Sequence, residues 1–352
     1  MKKSIKLLVT ALLVGVMTTI TACGGSNASN GNKAANADGE KKPEKVQIRL
    51  AHDNSVETPG HKAFLEFEKL VEEKSGGRID VTIFPGAQLG NYQEMFEQTR
   101  RGDIEMSVSA TTLFTQTIPE FAVWDSFYMF DDEEHAHKVL DGKAGQELMK
   151  PLDAMGLTGL GYMEIGFRNF SNSKNAIVNF EDLKGLKLRG YNPIQIKAWE
   201  ALGTNLTSLS WSEVFTSLQQ NLIDGQECAS ASFYNAKFYE AQKYWSLTKH
   251  IYTNWLWFAN KDFMNSLSSE DRKIIEDASK EAIKLNREMV AAAEKETLEK
   301  LPGLGVEVNE VSLETRNKMG ELMNNAIKDE IISKCGQELY DMVNAEIEAE
   351  RK

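Results

Sequence analysis

Two arginines stand in segments whose chemistry can be read from residue type. Arg168 lies in Gly166-Phe167-Arg168-Asn169-Phe170-Ser171-Asn172, and Arg189 ends Leu183-Lys184-Gly185-Leu186-Lys187-Leu188-Arg189. A guanidinium offers a planar fork of N–H donors that grips a carboxylate through two parallel charge-assisted bonds. Arg168 follows an expected strand at a loop. Arg189 sits at the carboxyl end of another, where open α/β sheets place ligands. Spacing by itself also fits surface arginines beside acidic neighbours. Signatures of catalysis are missing: there is no Gly-x-Ser-x-Gly elbow, no phosphate loop ending Gly-Lys-Ser/Thr and no His-Glu-x-x-His. The glycines from Gly156 to Gly166 do not match the dinucleotide spacing. His135 and His137 lie two apart, so on a helix they point to different faces and do not converge on one ion. Carboxylates are plentiful, but none is singled out as a catalytic acid. The chain therefore reads as a non-enzyme with no cofactor and no metal.

The elements that must position these arginines alternate. Val46 to Leu50 alternates apolar and polar residues, the period of a strand with one buried face. Residues 59–74 put Ala63, Phe64, Phe67, Leu70 and Val71 on one helical face, with Pro59 at the start and Gly76-Gly77 at the stop. Ile79, Val81 and Ile83 mark a second strand, completing a β-α-β unit suited to a parallel sheet. Further helices are expected at 91–101, 133–155, 193–202 and 211–221. Strands are expected at Ile104–Ser109, Leu157–Met163 and Leu186–Arg189, with a short helix or turn at Phe180–Gly185. Such alternation argues an α/β protein. In the C-terminal third, Ser268 with Glu270 and Asp271 opens a helix whose period holds almost to Pro302. About 30 residues at 1.5 Å rise make it roughly 45 Å long, enough to brace two lobes. The alternative is two helices with a break.

Length and charge bound the class. A chain of 352 residues suggests two domains. The formal net charge of −12 argues against nucleic-acid binding, although a pocket can be locally positive. Lys2, Lys3 and Lys6, an uncharged run from Leu7 to Ile20, and Ile20-Thr21-Ala22-Cys23 read as an export signal over residues 1–22. Cysteine after Ile-Thr-Ala resembles the bacterial lipobox, which implies lipidation of Cys23. Residues 23–45 are Gly, Ser, Asn, Ala and Lys-rich and read as a flexible tether. No later stretch is apolar enough to span a bilayer. Cys228 and Cys335 are expected to be free thiols.

At the arginine segments the chain resembles the solute-binding proteins of tripartite ATP-independent periplasmic (TRAP) transporters, DctP branch. The resemblance covers nearly the whole mature body. It rests on Leu50-Ala51-His52 with Pro59-Gly60-His61-Lys62, and on Glu72 to Ile79 followed by Phe84-Pro85-Gly86-Ala87-Gln88-Leu89-Gly90. It continues through Ile118-Pro119-Glu120-Phe121, Trp211-Ser212-Glu213-Val214-Phe215, Asp224-Gly225-Gln226-Glu227 and Phe238 to Tyr244. It implies an α/β, two-lobed periplasmic-binding-protein-like fold of class II type, with crossing strands, a ligand cleft between the lobes and a long bracing helix. Lobe I would comprise 46–167 plus about 254–295, and lobe II 168–253 plus about 296–352.

The resemblance further implies capture of a small organic acid and its delivery to small and large membrane subunits driven by an ion gradient. It implies an extracytoplasmic, lipid-anchored monomer that does no chemistry. Arg189 matches the arginine expected to make the main carboxylate salt bridge, Arg168 the arginine of the Gly-x-Arg segment, and Trp211 a pocket wall. His52, Asp53 and Asn54 match the loop after the opening strand. The segment Ser109 to Thr112, with Ser109, Thr111 and Thr112, matches a second cleft-facing loop. Two departures stand out. Cys228 replaces an asparagine that usually helps hold the acid, and Gly190-Tyr191-Asn192-Pro193 replaces the usual Val-Pro, so that Tyr191 or Asn192 would compensate. A sugar acid such as a hexuronate is the first expectation and a C4-dicarboxylate the second. A receptor coupled to a signalling protein is the alternative, and an exported hydrolase would require a nucleophile or metal that was not found.

Overall fold

Hydrophobic alternation at the start of the body produces the expected β-α-β unit. In the computed structural model, which describes residues 45–190 and 192–351, β1 (Val46–Ala51) pairs in parallel with β2 (Ile79–Phe84), in register from Val46 opposite Ile79. Helix α1 (Pro59–Lys74) connects them. Thr58 caps it by accepting from the His61 N–H, and Ala63, Phe64, Phe67 and Val71 form its buried face. Helix α2 (Tyr92–Arg101) begins with an Asn91–Glu94 capping box, stops at left-handed Gly102 (φ 77°) and leads into β3 (Met106–Ala110), parallel to β1.

The helix expected over 133–155 is three helices: α3 (Glu133–Asp141), α4 (Lys143–Met149) and α5 (Pro151–Ala154). Gly142 takes an extended conformation between the first two, and Pro151 opens the third because its ring cannot continue the preceding turn. The strand expected over Leu157–Met163 is longer. Strand β4 (Leu157–Asn172) runs 16 residues antiparallel to the 17-residue β8 (Tyr244–Asn260). At about 3.3 Å per residue, each spans roughly 50 Å. Between them in the chain come β5 (Lys187–Gly190), α6 (Pro193–Glu200), β6 (Asn205–Ser208), α7 (Trp211–Gln219), β7 (Gly225–Ala229) and α8 (Ser230–Asn235). The chain then passes through α9 (Lys261–Ser266), α10 (Ser269–Lys300), β9 (Glu307–Glu310), α11 (Leu313–Cys335) and α12 (Gln337–Glu350).

One sheet results, in the order β2-β1-β3-β8-β4-β7-β5-β6, with β9 beside the start of β8. The ends of β4 and β8 belong to different neighbourhoods. Residues 255–259 pair with β3, whereas 168–172 pair with β7 and 244–247 with β9. Besides a larger apolar cluster that spans both halves and includes Phe96, Phe258, Leu188 and Trp199, each half has an apolar cluster of its own. In one, Trp257 meets Phe64 and Phe67 edge-on at 4.9 and 4.7 Å; in the other, Trp245 packs on Phe233 at 4.3 Å.

Helix α10 is a single 32-residue helix, so the two-helix alternative does not hold. It packs on α1 in one half and on α8 in the other, crossing β4 between them, as a brace should. Helix α11 packs on α6 and on residues 119–125, and α12 folds back onto α3 and α4. The expected signal segment, tether and lipidated Cys23 lie outside the described residues, as does Tyr191.

Candidate ligand-binding site

A cavity of about 580 Å³, counted to its open mouth, lies where the two halves of the sheet meet. Strand ends from both halves of the sheet supply much of its wall: Asp53 and Asn54 just past β1 and Ser109 and Ala110 at the end of β3, which are parallel to each other, and Arg189 near the end of β5, which runs the opposite way. Strand ends are where side chains can project past the last backbone pair, so ligands gather there in α/β sheets. Ile165 and Arg168 enter from β4, Cys228 from β7, Thr253 and Trp255 from β8, and Trp211 from the first residue of α7. The expected residues Arg168, Arg189, Trp211, Cys228, Asp53, Asn54 and Ser109 are thus brought together, with Thr112.

The two arginines are held differently. Arg168 points its Nε and Nη2 at the Glu227 carboxylate (Nη2–Oε1 2.7 Å), and Nη2 also donates to the Glu227 carbonyl at 2.6 Å. Its Nη1 lies 3.3 Å from Thr253 Oγ1. The His250 Nε2 stands 2.9 Å from Glu227 Oε2, and His250 stacks on Phe127. Burial alone would raise the Glu227 carboxyl, but the Arg168 charge and the bonds from His250 and Arg168 outweigh it. Glu227 therefore sits far below the usual carboxylate range. Arg189 is steadied by its Nε donating to the Leu209 carbonyl at 3.1 Å and by the Trp211 ring, 5.6 Å from its guanidinium carbon.

Asp53 is the third charged group of the lining. Burial raises its carboxyl to about 6, with its own backbone N–H and the Arg189 charge opposing the rise. Cys228 is buried, and burial pushes its thiol up to about 12 against the pull of both arginines, so it remains a neutral thiol. As a weak donor it cannot reproduce an asparagine's geometry.

Three expected residues do not join the lining. His52 is fully buried behind the wall, with Nε2 3.1 Å from His61 Nδ1 and its ring edge-on to Trp255. Burial, with a smaller push from His61, lowers its pKa to about 3. Thr111 spends its hydroxyl on Asn254 Oδ1 at 2.7 Å. Asn192 caps α6 through Ile194 N–H and donates its amide to the Thr112 carbonyl and the buried Asp125 carboxylate at 3.0 Å. Thr111 and Asn192 have their polar atoms engaged within the protein, and His52 engages its Nε2 there.

Sequence reasoning missed Leu113, Ile165, Ser232, Thr253 and Trp255. Thr253 and Trp255 lie on β8, which was not anticipated although Ile251 to Ala259 is rich in strand formers, and Ile165 lies on β4 beyond its expected end at Met163. Trp255 stands opposite Ala110 in the register, which puts it next to the expected Ser109 segment. Its ring also explains Gly60: a Cβ there would come within 2.4 Å of Trp255 Cζ3. The resulting cavity offers a guanidinium on an indole face, a second guanidinium neutralised from behind, hydroxyls and two indole walls. It suits a small polar anion.

Comparison with known proteins agrees. Residues 50–334 match the family described as bacterial extracellular solute-binding protein, family 7 (DctP). The chain is 33% identical to the 2,3-diketo-L-gulonate-binding periplasmic protein YiaO of Escherichia coli, over 82% of this chain and 88% of the relative. It is 29% identical to the C4-dicarboxylate-binding periplasmic protein DctP of Rhodobacter capsulatus, over 86% and 91%. The crystal structure of the sugar acid binding protein DctPAm of Advenella mimigardefordensis, in complex with galactonate, superposes with a TM-score of 0.83 at 31% identity, covering 88% of this chain and 99% of that one.

Two stability predictions come from this geometry. Arg168→Ala strands a buried Glu227 carboxylate, so it should cost about 3–5 kcal/mol in urea unfolding, well above the cost of Arg189→Ala. Equal losses would show that the Arg168–Glu227 pair is not the buried link described. The second concerns pH. His52 titrates at about 3 in the folded chain and near 6.5 in the unfolded one. Unfolded protein therefore takes up the proton first. The stability that neutral His52 contributes is intact above about pH 6.5 and is lost as pH falls toward 3, by up to about 1.4 kcal/mol per pH unit. Relative to His52→Phe, which keeps the ring contacts, wild type should lose stability across that window. A constant difference would overturn the assignment of a buried neutral His52.

Proposed function

The chain belongs to the DctP family of extracellular solute-binding proteins, the solute-capture subunits of TRAP transporters, and from that premise we propose that it binds a small organic acid through Arg189. Members of this family bind solutes outside the cytoplasm, and among the described residues no helix is long and apolar enough to cross a membrane. The observation that carries the ligand reading is the Arg189 guanidinium, set at the end of β5 against Trp211 inside a cavity that also holds hydroxyls. A carboxylate on Arg189 gains charge-assisted bonds in a site screened from water. A sugar acid is the first candidate. The hydroxyls of Ser109, Thr112, Thr253 and Ser232 suit a polyhydroxylated tail, and the galactonate complex of a structural neighbour supports it. A C4-dicarboxylate is second, supported by the Rhodobacter capsulatus relative.

In this reading the protein is a monomer and performs no catalysis. Residues 46–167 with about 254–295, and 168–253 with about 296–352, act as lobes that close on the ligand. The loaded protein then presents it to the small and large membrane subunits for ion-gradient-driven uptake. Coupling to a signalling protein instead would use the same cavity. A thermal-shift screen of the purified protein checks the ligand class. At 100 times its dissociation constant, a ligand adds about 2.7 kcal/mol. A sugar acid should stabilise the protein while the matching neutral sugar does not, and Arg189→Ala should weaken binding by about 2–5 kcal/mol. Stabilisation by neutral sugars alone, or unchanged affinity in Arg189→Ala, would refute the reading.

The Ile20-Thr21-Ala22-Cys23 sequence supports removal of residues 1–22 and lipidation of Cys23, with 24–45 as tether. Intact mass of the exported protein should show a diacylglyceryl group on Cys23, and Cys23→Ser should release the protein from membranes. Export without added mass would remove the anchor from the model of function.

A further inference from the structure

The charged residues of the cavity come from opposite sides. Arg168 and Arg189 enter from β4 and β5, and Asp53 from the loop after β1 in the other half of the sheet. Arg168 is bound to Glu227, so that pair is close to neutral as a unit. Arg189 and Asp53 are the other charged groups of the lining, and Arg189 lies near enough to act on the Asp53 carboxyl. Beside Asp53 on the same side is Ser109, 2% exposed, whose buried Oγ has no hydrogen-bond partner among the described residues. A buried hydroxyl left unpaired costs free energy, so a polar group reaching it would be stabilised.

We infer that Asp53 and Ser109 form the hydroxyl-reading end of the cavity, and that Asp53 makes the site select hydroxylated monocarboxylates against dicarboxylates. The inference rests on the organic-acid reading and sharpens it. A ligand whose carboxylate lies on Arg189 presents its far end to Asp53. A hydroxyl there donates to the carboxylate and accepts from Ser109. A second carboxylate there meets a like charge, while Glu227 already occupies the Arg168 fork and the ligand's first carboxylate lies on Arg189. Like charges brought together out of water repel far more strongly than in solvent. Rejection of this kind is a specificity device built from repulsion rather than from added attraction. The raised Asp53 titration point, about 6, still leaves it ionised at neutral pH.

The test uses galactonate and galactarate, which differ only in that a terminal CH2OH becomes a second carboxylate, with affinities measured by calorimetry at neutral pH. Wild-type protein should prefer galactonate by at least about 100-fold, a discrimination of the size expected from an opposed charge. Asp53→Asn, nearly isosteric, should shrink that gap at least about tenfold, chiefly by gaining galactarate. Ser109→Ala should weaken galactonate without improving galactarate. Asp53→Ser provides a second neutral variant, judged by the same gap, should Asp53→Asn not fold. Wild type that binds galactonate, with the gap unchanged in both Asp53 variants, overturns this inference and leaves the organic-acid reading standing. Wild type that binds no acid at all removes the organic-acid reading and this inference with it.

Discussion

The buried contact between Arg168 and Glu227 is the constraint from which the site's geometry follows. Its members come from β4 and β7, and it is completed from β8 by His250 and Thr253. Taking two charges out of water is costly, and the pair is tolerable only because nearly every polar atom finds a partner. That requirement pins three strands distant in sequence to one register. A slip of one residue would turn Arg168 to the other face and leave Glu227 alone. With Arg168 opposite Ala229 and Ile251, the floor of the cavity, including neighbouring Cys228, is set. The acid at the end of Asp224-Gly225-Gln226-Glu227 is thus spent on Arg168 and His250.

The opening β-α-β unit and the long α10 were legible in the sequence because each satisfies a local rule. The first strands alternate, α1 has a capped start and one apolar face, and α10 carries a capping serine with acids in its first turn. The rest was hidden where burial is two-sided. Strand β8 is buried on both faces over most of its length and mixes apolar residues with buried polar ones such as Ser246, Thr248, His250, Thr253 and Asn254, so it shows neither a clean alternation nor a clean apolar run. The far half of β4 was lost for the same reason. The break of 133–155 into three helices turns on Gly142 and Pro151, weak signals inside an otherwise helical pattern.

For the site, residue type and resemblance found the charged members but not their division of labour. Arg168 and Arg189 look alike in sequence. Only the fold puts Glu227 behind one and Trp211 beneath the other. His52, Thr111 and Asn192 lie within one to three residues of lining positions and were expected to share them. Each instead meets a polar partner within the protein, His61, Asn254 and Asp125, with Thr111 in a tight turn after β3 and Asn192 spent on capping α6. Trp255 went unseen because its strand did, although Gly60 records its presence as a position with no room for a Cβ.

An acidic protein that holds an anion must create its positive potential locally. Net charge is spread over solvent-facing side chains, where salt screens it within about 10 Å. The cavity's charges are walled off from that screening, so a single arginine there outweighs many carboxylates outside. The same shielding makes the count of charges within the walls decisive. It also explains why the walls are divided between the halves of the sheet. A ligand that touches the end of β5 on one side and the loop after β1 on the other favours the arrangement in which both sides are close, in proportion to the contacts it makes only then. Strands β4 and β8 pass through both halves with register shifts between Gly159 and Gly161, Glu164 and Gly166, and Arg168 and Phe170. Those shifts interrupt the regular ladder where the shared strands pass beneath a continuous α10, between the two sides of the cavity.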